Sequence, residues 1–173
     1  MRTLLLSSLK VLLLLFAFNV FAGTKDLPRF ATIKSNEVNT RVGPGLQYPI
    51  AAVFLKIGEP VEIVDESGNW RQIKDFDKEL SWVHVSLLSR KRSVIITSPL
   101  PICLFKGPFD DSDVIAQVFP NVRCDFLDYC SRKMCKVRCK GHKGWIAKNY
   151  LWGIYDHELK KDGSFTLYLK SLF

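Results

Sequence analysis

From residue 23 onward the apolar positions recur every second residue, not every third or fourth. In the stretch PVEIVDESGNWRQI (60–73), Val61 and Ile63 flank Glu62, a turn composition follows at Glu66-Ser67-Gly68-Asn69, and Arg71-Gln72-Ile73 resumes the pattern. Alternation sends successive side chains to opposite faces of a strand, so this segment predicts a hairpin of two half-buried strands around a Gly-containing loop. ELSWVHVSLL (79–88) predicts another short strand ending in a tight helical turn at Ser86-Leu87-Leu88. Gly43-Pro44-Gly45, Gly58-Glu59-Pro60 and Ser67-Gly68-Asn69 punctuate the chain between these strands. Short strands so spaced predict an all-β protein, a small barrel or sandwich.

The pattern occurs twice. A first copy, about Val38 to Ser89, contains EPVEIVDESGNWRQI and then WVHVSLL; a second, about Ile102 to Trp152, contains NVRCDFLDYCSRKMCKV and then WIAKNYL. Trp82 and Trp145 fall in equivalent places, each with a Leu six positions on, Leu88 and Leu151. Val38 precedes Trp82 by 44 residues and Ile102 precedes Trp145 by 43. Matched spacing at both ends of the unit argues for two copies of one small fold. The predicted organisation is a first domain over 28–90, a second over 91–153, and a tail over 154–173 whose SFTLYLKSLF alternates as one more strand. The segment SVIIT inside 90–97 is itself expected to be a strand. Domains this small bury only ~60% of their extended-chain surface, so the two are expected to pack on each other.

The first copy resembles the bacterial SH3-like (SH3b) repeat of exported envelope proteins. Val38-Asn39, Arg41, the Gly43-Pro44-Gly45 turn, Tyr48-Pro49, Gly58, Trp70 and Trp82-Val83 carry the likeness, with Ser81 in place of the Gly usual before the last Trp. The second copy echoes it in part: Gly107-Pro108 repeats some of the opening, and Met134 stands where Trp70 would be. The resemblance implies two tandem, partly open SH3-like barrels of five or six strands. It also implies no intrinsic catalysis, and binding to cell-wall material or to other envelope proteins. It leaves the strand at 28–35 and the tail without a role.

Ahead of this stands MRTLLLSSLKVLLLLFAFNVFAG, with Arg2 and Lys10 early, an unbroken apolar run from Val11 to Phe18, and Ala22 before Gly23. That is the build of a secretory signal peptide over 1–22, with cleavage expected after Ala22. A spanning helix wants ~20 apolar residues, and Lys10 sits too far inside to allow it, so no transmembrane span is expected in the mature chain. Arg2 and Lys10 leave with the leader; the remaining 23 Lys and Arg face 17 Asp and Glu, a net of +6. The expected location is the periplasm or cell envelope, where disulfides persist.

All five cysteines lie in the second copy. The spacing C-x5-C-x4-C-x3-C has no C-x2-C pair, which speaks against a structural zinc site; no metal and no cofactor is called for. If 122–128 and 133–140 form the second hairpin, Val61 and Ile63 map onto Cys124 and Phe126. Phe126 then lies opposite Val137 and Cys124 opposite Cys139. Cysteines directly across an antiparallel pair can bridge, so Cys124–Cys139 is a candidate disulfide, with Cys130–Cys135 near the hairpin tip as a second. The alternative is that these are small buried apolar side chains. Cys103 is left over. The histidines His84, His142 and His157 raise the question of a Cys–His nucleophile pair, but the first copy has no cysteine and 151 residues hold no separate wall-cutting domain.

Charge is uneven. Residues 25–90 balance nine basic against nine acidic side chains, while 98–153 hold nine against five. Lys136, Arg138 and Lys140 are expected on one face of a strand, with Cys135, Val137 and Cys139 on the other. They read either as lysines protecting a sheet edge or as a cationic row drawn to acidic wall, lipid or protein. Nucleic acid is not an expected partner of an exported chain whose cationic row has no interleaved aromatics. Among aromatics, Trp82 has a counterpart in Trp145 and is expected in a core role, whereas Trp70, with Tyr48 and the Gly43-Pro44-Gly45 loop, is placed to line a shallow groove or to fold back over the barrel mouth. The leading functional reading is a non-enzymatic envelope protein that binds peptidoglycan or its stem peptide. The alternative is a periplasmic protein–protein adaptor or assembly factor, and a Cys–His hydrolase is the third.

Overall fold

The structure is a computed structural model that describes residues 27–156 apart from 110 and 132; the leader, Arg132, His157 and the expected tail strand lie outside the described residues. It has no α-helix among them, and fourteen strands. The first seven are β1 (Arg29–Ile33), β2 (Val38–Arg41), β3 (Ile50–Phe54), β4 (Pro60–Ser67), β5 (Trp70–Lys74), β6 (Leu80–His84) and β7 (Leu88–Ser89), with a 3-10 turn at Val85–Leu87 before β7. The next seven are β8 (Ser93–Ile96), β9 (Ile102–Phe105), β10 (Val114–Val118), β11 (Arg123–Cys130), β12 (Met134–Cys139), β13 (His142–Ala147) and β14 (Leu151–Trp152), with a 3-10 turn at Lys148–Tyr150 before β14.

The strands form two antiparallel sheets, ordered β3-β2-β6-β5-β4-β1-β7 and β10-β9-β13-β12-β11-β8-β14. Adding seven to each label turns the first order into the second, so the duplication read from spacing is a duplication of topology. Each sheet keeps two edges and neither closes into a barrel. Seven strands replace the expected five or six. The additions are the leading strand, which pairs with both the long hairpin strand and the two-residue closing strand (β1 with β4 and β7, β8 with β11 and β14). The segment at 28–35 is thus β1, and SVIIT contributes β8.

Inward positions follow the two-residue period. Ala31, Ile33, Val38, Val61, Ile63, Ile73 and Val83 form the first core; Val94, Ile96, Leu104, Val118, Cys124, Val137, Cys139 and Ile146 form the second. Val83 and Ile146 occupy the core, so their neighbours Trp82 and Trp145 point to the other face. The core role expected for Trp82 is therefore corrected: it is half-buried beside Gln72 and Arg41, its cross-strand partners. Duplication fixes that the two tryptophans are equivalent, but only the alternation around them fixes which way they face.

The outward faces of the leading strands meet. All four residues of β8 are buried. Val94 and Ile96 enter the second core, while Ser93 and Ile95 turn toward the first domain, which explains an apolar run rather than an alternating one. At the seam Ser93 Oγ and Thr32 Oγ lie 2.9 Å apart, both buried. Trp152 meets Phe30 and Phe76 edge-on at 5.2 and 5.5 Å. The Arg92 guanidinium lies 5.5 Å over the Phe30 ring and 5.8 Å over that of Phe126. Buried Glu62 accepts from the Tyr155 hydroxyl and pairs with Lys74. Arg123 grips Glu59 with two parallel bonds of 2.6 and 2.8 Å, and that hydrogen bonding raises the Arg123 pKa above its ordinary value. The packing of the two domains rests on both apolar and charged contacts.

Candidate functional site

The β4–β5 hairpin turns at Gly68-Asn69, with Ser67 opposite Trp70. Trp70 opens β5 and pairs across the sheet with His84, the last residue of β6. The two rings meet edge to face, centroids 5.6 Å apart and planes at 84°. The His84 ring nitrogen Nδ1 lies 2.8 Å from Ser86 Oγ and accepts from the Ser86 backbone N–H, capping the 3-10 turn. With Nδ1 used as an acceptor, a neutral His84 carries its proton on Nε2, a donor for a ligand. Pro44 and Leu46 come from the loop between β2 and β3. Together with the Ser67–Asn69 turn, Trp70 and His84, they line a cavity of about 620 Å³. Leu46 is 76% exposed at its rim.

Tyr48 is not among the lining residues. A Cβ on Gly43 would stand 2.5 Å from the Tyr48 ring, so only glycine lets that ring lie on the loop. Arg41 holds the turn by donating to the Tyr48 carbonyl oxygen at 2.6 Å. Tyr48 thus braces the loop that supplies Pro44 and Leu46, and of the two aromatics expected to share a groove only Trp70 faces it. In the sequence His84 is a histidine with no cysteine in its own copy, and nothing there marks it as a groove residue. Its pairing opposite Trp70 across β5 and β6 is the signal that places it there. A ring edge, a proline, an imidazole N–H and turn peptide groups in a shallow groove suit an extended peptide or the face of a sugar ring.

The second sheet does not repeat this groove. Met134 takes the place of Trp70, paired with Ala147, and is 2% exposed. Lys136 and Arg138 face outward from β12, as the alternation predicts, but Lys140 does not continue the row. It sits with Gly141 in a two-residue hairpin turn, φ 46° and 90°, between the paired Cys139 and His142. Positive φ at both positions defines this turn. The row is also not on an edge: β12 lies between β11 and β13, so shielding of an open edge is ruled out as its purpose. Lys136 Nζ lies 5.8 Å over the Trp145 ring, and Arg138 Nη1 lies 3.5 Å from Asp125 Oδ2. Tyr48 and Trp70 belong to one sheet and Lys136, Arg138 and Lys140 to the other, so these five residues do not share a site.

Two disulfides tie the β11–β12 hairpin, Cys124–Cys139 with Cα atoms 4.4 Å apart and Cys130–Cys135 at 4.0 Å. Phe126 lies opposite Val137, and a register shift between Phe126 and Cys130 brings the second pair into line. Cys103 is a free thiol on β9, paired with Gln117. Extending the Trp145–Phe105 register puts Cys103 level with Ala147, five residues and ~16 Å along the strand from His142. A second cavity, about 590 Å³, opens at the domain seam around Leu55, Glu59, Phe76, Asp77, Asn121 and Arg123.

The chain matches the bacterial SH3 domain family twice, over residues 34–90 and 100–153. It is 28% identical over 144 residues to the "Putative N-acetylmuramoyl-L-alanine amidase YrvJ" of Bacillus subtilis (strain 168), covering 78% of this chain and 27% of that protein. Among solved structures it is similar to NlpC2 from Trichomonas vaginalis (15% identity, 82% of this chain and 52% of the other, TM-score 0.35). It is also similar to an NlpC/P60 family protein from Bacillus cereus ATCC 10987 (14% identity, 71% and 55%, TM-score 0.31). The chain spans about a quarter of the amidase-named relative and about half of NlpC2. The two family matches cover the two copies apart from their leading strands β1 and β8, and the chain belongs to the bacterial SH3 domain family as a tandem pair.

Proposed function

We propose that this chain is a non-catalytic binding protein of the bacterial envelope whose ligand is peptidoglycan or its stem peptide, held beside Trp70 in the first domain. The observation that carries the reading is the groove itself: an aromatic edge, Pro44, Leu46 and the His84 imidazole around an open cavity of about 620 Å³ in an SH3 domain. Membership of the bacterial SH3 family and likeness to a protein named as an amidase of N-acetylmuramoyl-L-alanine support a wall ligand. Two disulfides support an oxidising compartment and agree with an export leader. The separation of Cys103 from His142 weighs against a Cys–His nucleophile pair, which needs its members in hydrogen-bond reach.

Purified cell wall tests this. The exported protein is expected to be retained on sacculi, and Trp70→Ala to reduce retention at least about tenfold, the loss of one aromatic anchor, with an unchanged pair of disulfides. Absence of retention by the unaltered protein overturns the reading. The adaptor reading keeps one observation of its own. β3 is an edge strand with Ile50 and Val53 about half exposed, a surface that an extended polypeptide can lengthen. A specific co-purifying protein together with no wall retention would favour it.

A further inference from the structure

The outer face of the second sheet is a surface separate from the groove. Directly paired residues share a face, so the registers Val114–Phe105, Phe105–Trp145 and Trp145–Lys136 define one row across β10, β9, β13 and β12. Asp125–Arg138 and Arg138–Lys143 define the next. The first row is apolar up to Lys136. Val114 is 54% exposed at one end; Trp145 lies under Lys136 and against Tyr129, ring centroids 5.4 Å apart, with Tyr129 itself 44% exposed. The second row holds Arg138, paired with Asp125, and Lys143, while Lys140 stands apart in the turn between β12 and β13. Domain one covers the β8 end of this face at Ser93, while Lys136, Lys143 and Val114 are exposed on β12, β13 and β10.

We propose that this open face docks on a lipid bilayer carrying anionic head groups. Charge complementarity is the first reason. Lys136, Lys140 and Lys143 are exposed, and no ion pair engages them among the described residues. The distribution of charge is the second. The cations are spread over a sheet face and do not converge on a point, and the one guanidinium among them is already shared with Asp125, so the face suits a plane of negative charge better than a discrete anion. The apolar row is the third. Tyr129 and Val114 are 44% and 54% exposed on this face, and an aromatic body and an aliphatic side chain suit the head-group boundary while the ammonium groups reach the phosphates. A soluble acidic polymer would engage the cations and leave Tyr129 and Val114 in water; Trp145, 8% exposed, is already covered by Lys136 and Tyr129.

Flotation with vesicles of phosphatidylcholine, with and without phosphatidylglycerol, tests the proposal on protein recovered after export. Binding is expected only to the anionic vesicles, falling with added salt. Each cation near such a surface is worth about fivefold in partition, so Lys136→Gln, Lys140→Gln and Lys143→Gln combined lose about a hundredfold. The single variants, read alongside with their melting temperatures, lose about fivefold each, which separates lost charge from lost fold. Tyr129→Ser weakens binding at constant charge. Equal binding to neutral vesicles, or a triple variant that binds as the unaltered protein does, overturns the proposal. So does a triple variant that loses retention on sacculi when neither protein binds vesicles, which assigns the face to an acidic wall polymer. Trp70→Ala is expected to float with anionic vesicles as the unaltered protein does, so failure of the wall reading and failure of this one are told apart.

Discussion

Cutting the two disulfides of the second domain separately should cost different amounts that the loop lengths fix in advance. Cys124–Cys139 closes a separation of 15 residues and Cys130–Cys135 one of 5. In the chain-entropy description the longer bridge removes unfolded-state freedom worth ~3 kcal/mol and the shorter ~2 kcal/mol. Cys124 and Cys139 also belong to the core cluster, so their replacement by alanine gives up sulfur contacts there and widens the gap. In a domain of this size 1 kcal/mol moves the melting temperature by about 4–8 °C. Cys124→Ala with Cys139→Ala should therefore lower it by roughly 12–24 °C, and Cys130→Ala with Cys135→Ala by roughly 8–16 °C. Calorimetry or urea unfolding of both double variants and the unaltered protein, each with and without reductant, measures this. Reductant should bring the unaltered protein down to the level of the fourfold variant. A loss below ~1 kcal/mol for either pair, a reversed order, or a transition indifferent to reductant would refute the reasoning.

Two further outcomes probe the packing. Gly144→Ala places a Cβ 2.6 Å from the Phe105 carbonyl oxygen and against Leu104, and should cost ~1–3 kcal/mol in urea unfolding; a neutral result would mean that β9 and β13 are further apart than described. Ile95→Ala empties a side chain 2% exposed at the domain seam, and should cost ~2–5 kcal/mol and split a shared calorimetric transition into two; a uniform downward shift would mean that the seam does not couple the domains.

Where a conclusion needed only the two-residue period, the sequence was sufficient. The hairpins, the pairing of Phe126 with Val137 and the outward placement of Lys136 and Arg138 all follow from which residues alternate. Lys140 shows the limit of that reading: the alternation was carried one residue into a turn that the following Gly141 already signalled. Trp82 shows another, since equivalence between copies says nothing about facing, while Val83 beside it did. The seam was the least legible. Phe30 meets Trp152 and Tyr155 across more than 120 residues of chain, with no local pattern to announce it. Only the unbroken apolar run of β8 hinted that a strand had neighbours on both sides. The groove was half legible: Trp70 and the Gly43-Pro44-Gly45 loop were named, but whether a ring braces a loop or faces a ligand depends on contacts that no spacing encodes.

The placement of β8 has a mechanical consequence. A strand that is at once the bridge between two modules and a wall of their shared seam leaves no slack to absorb rotation. Whatever one module holds is presented to the other at a set distance and tilt, so two ligands captured together must themselves be arranged to match. The pair then behaves as a gauge, selecting for a spatial relation between its targets as well as for their chemistry.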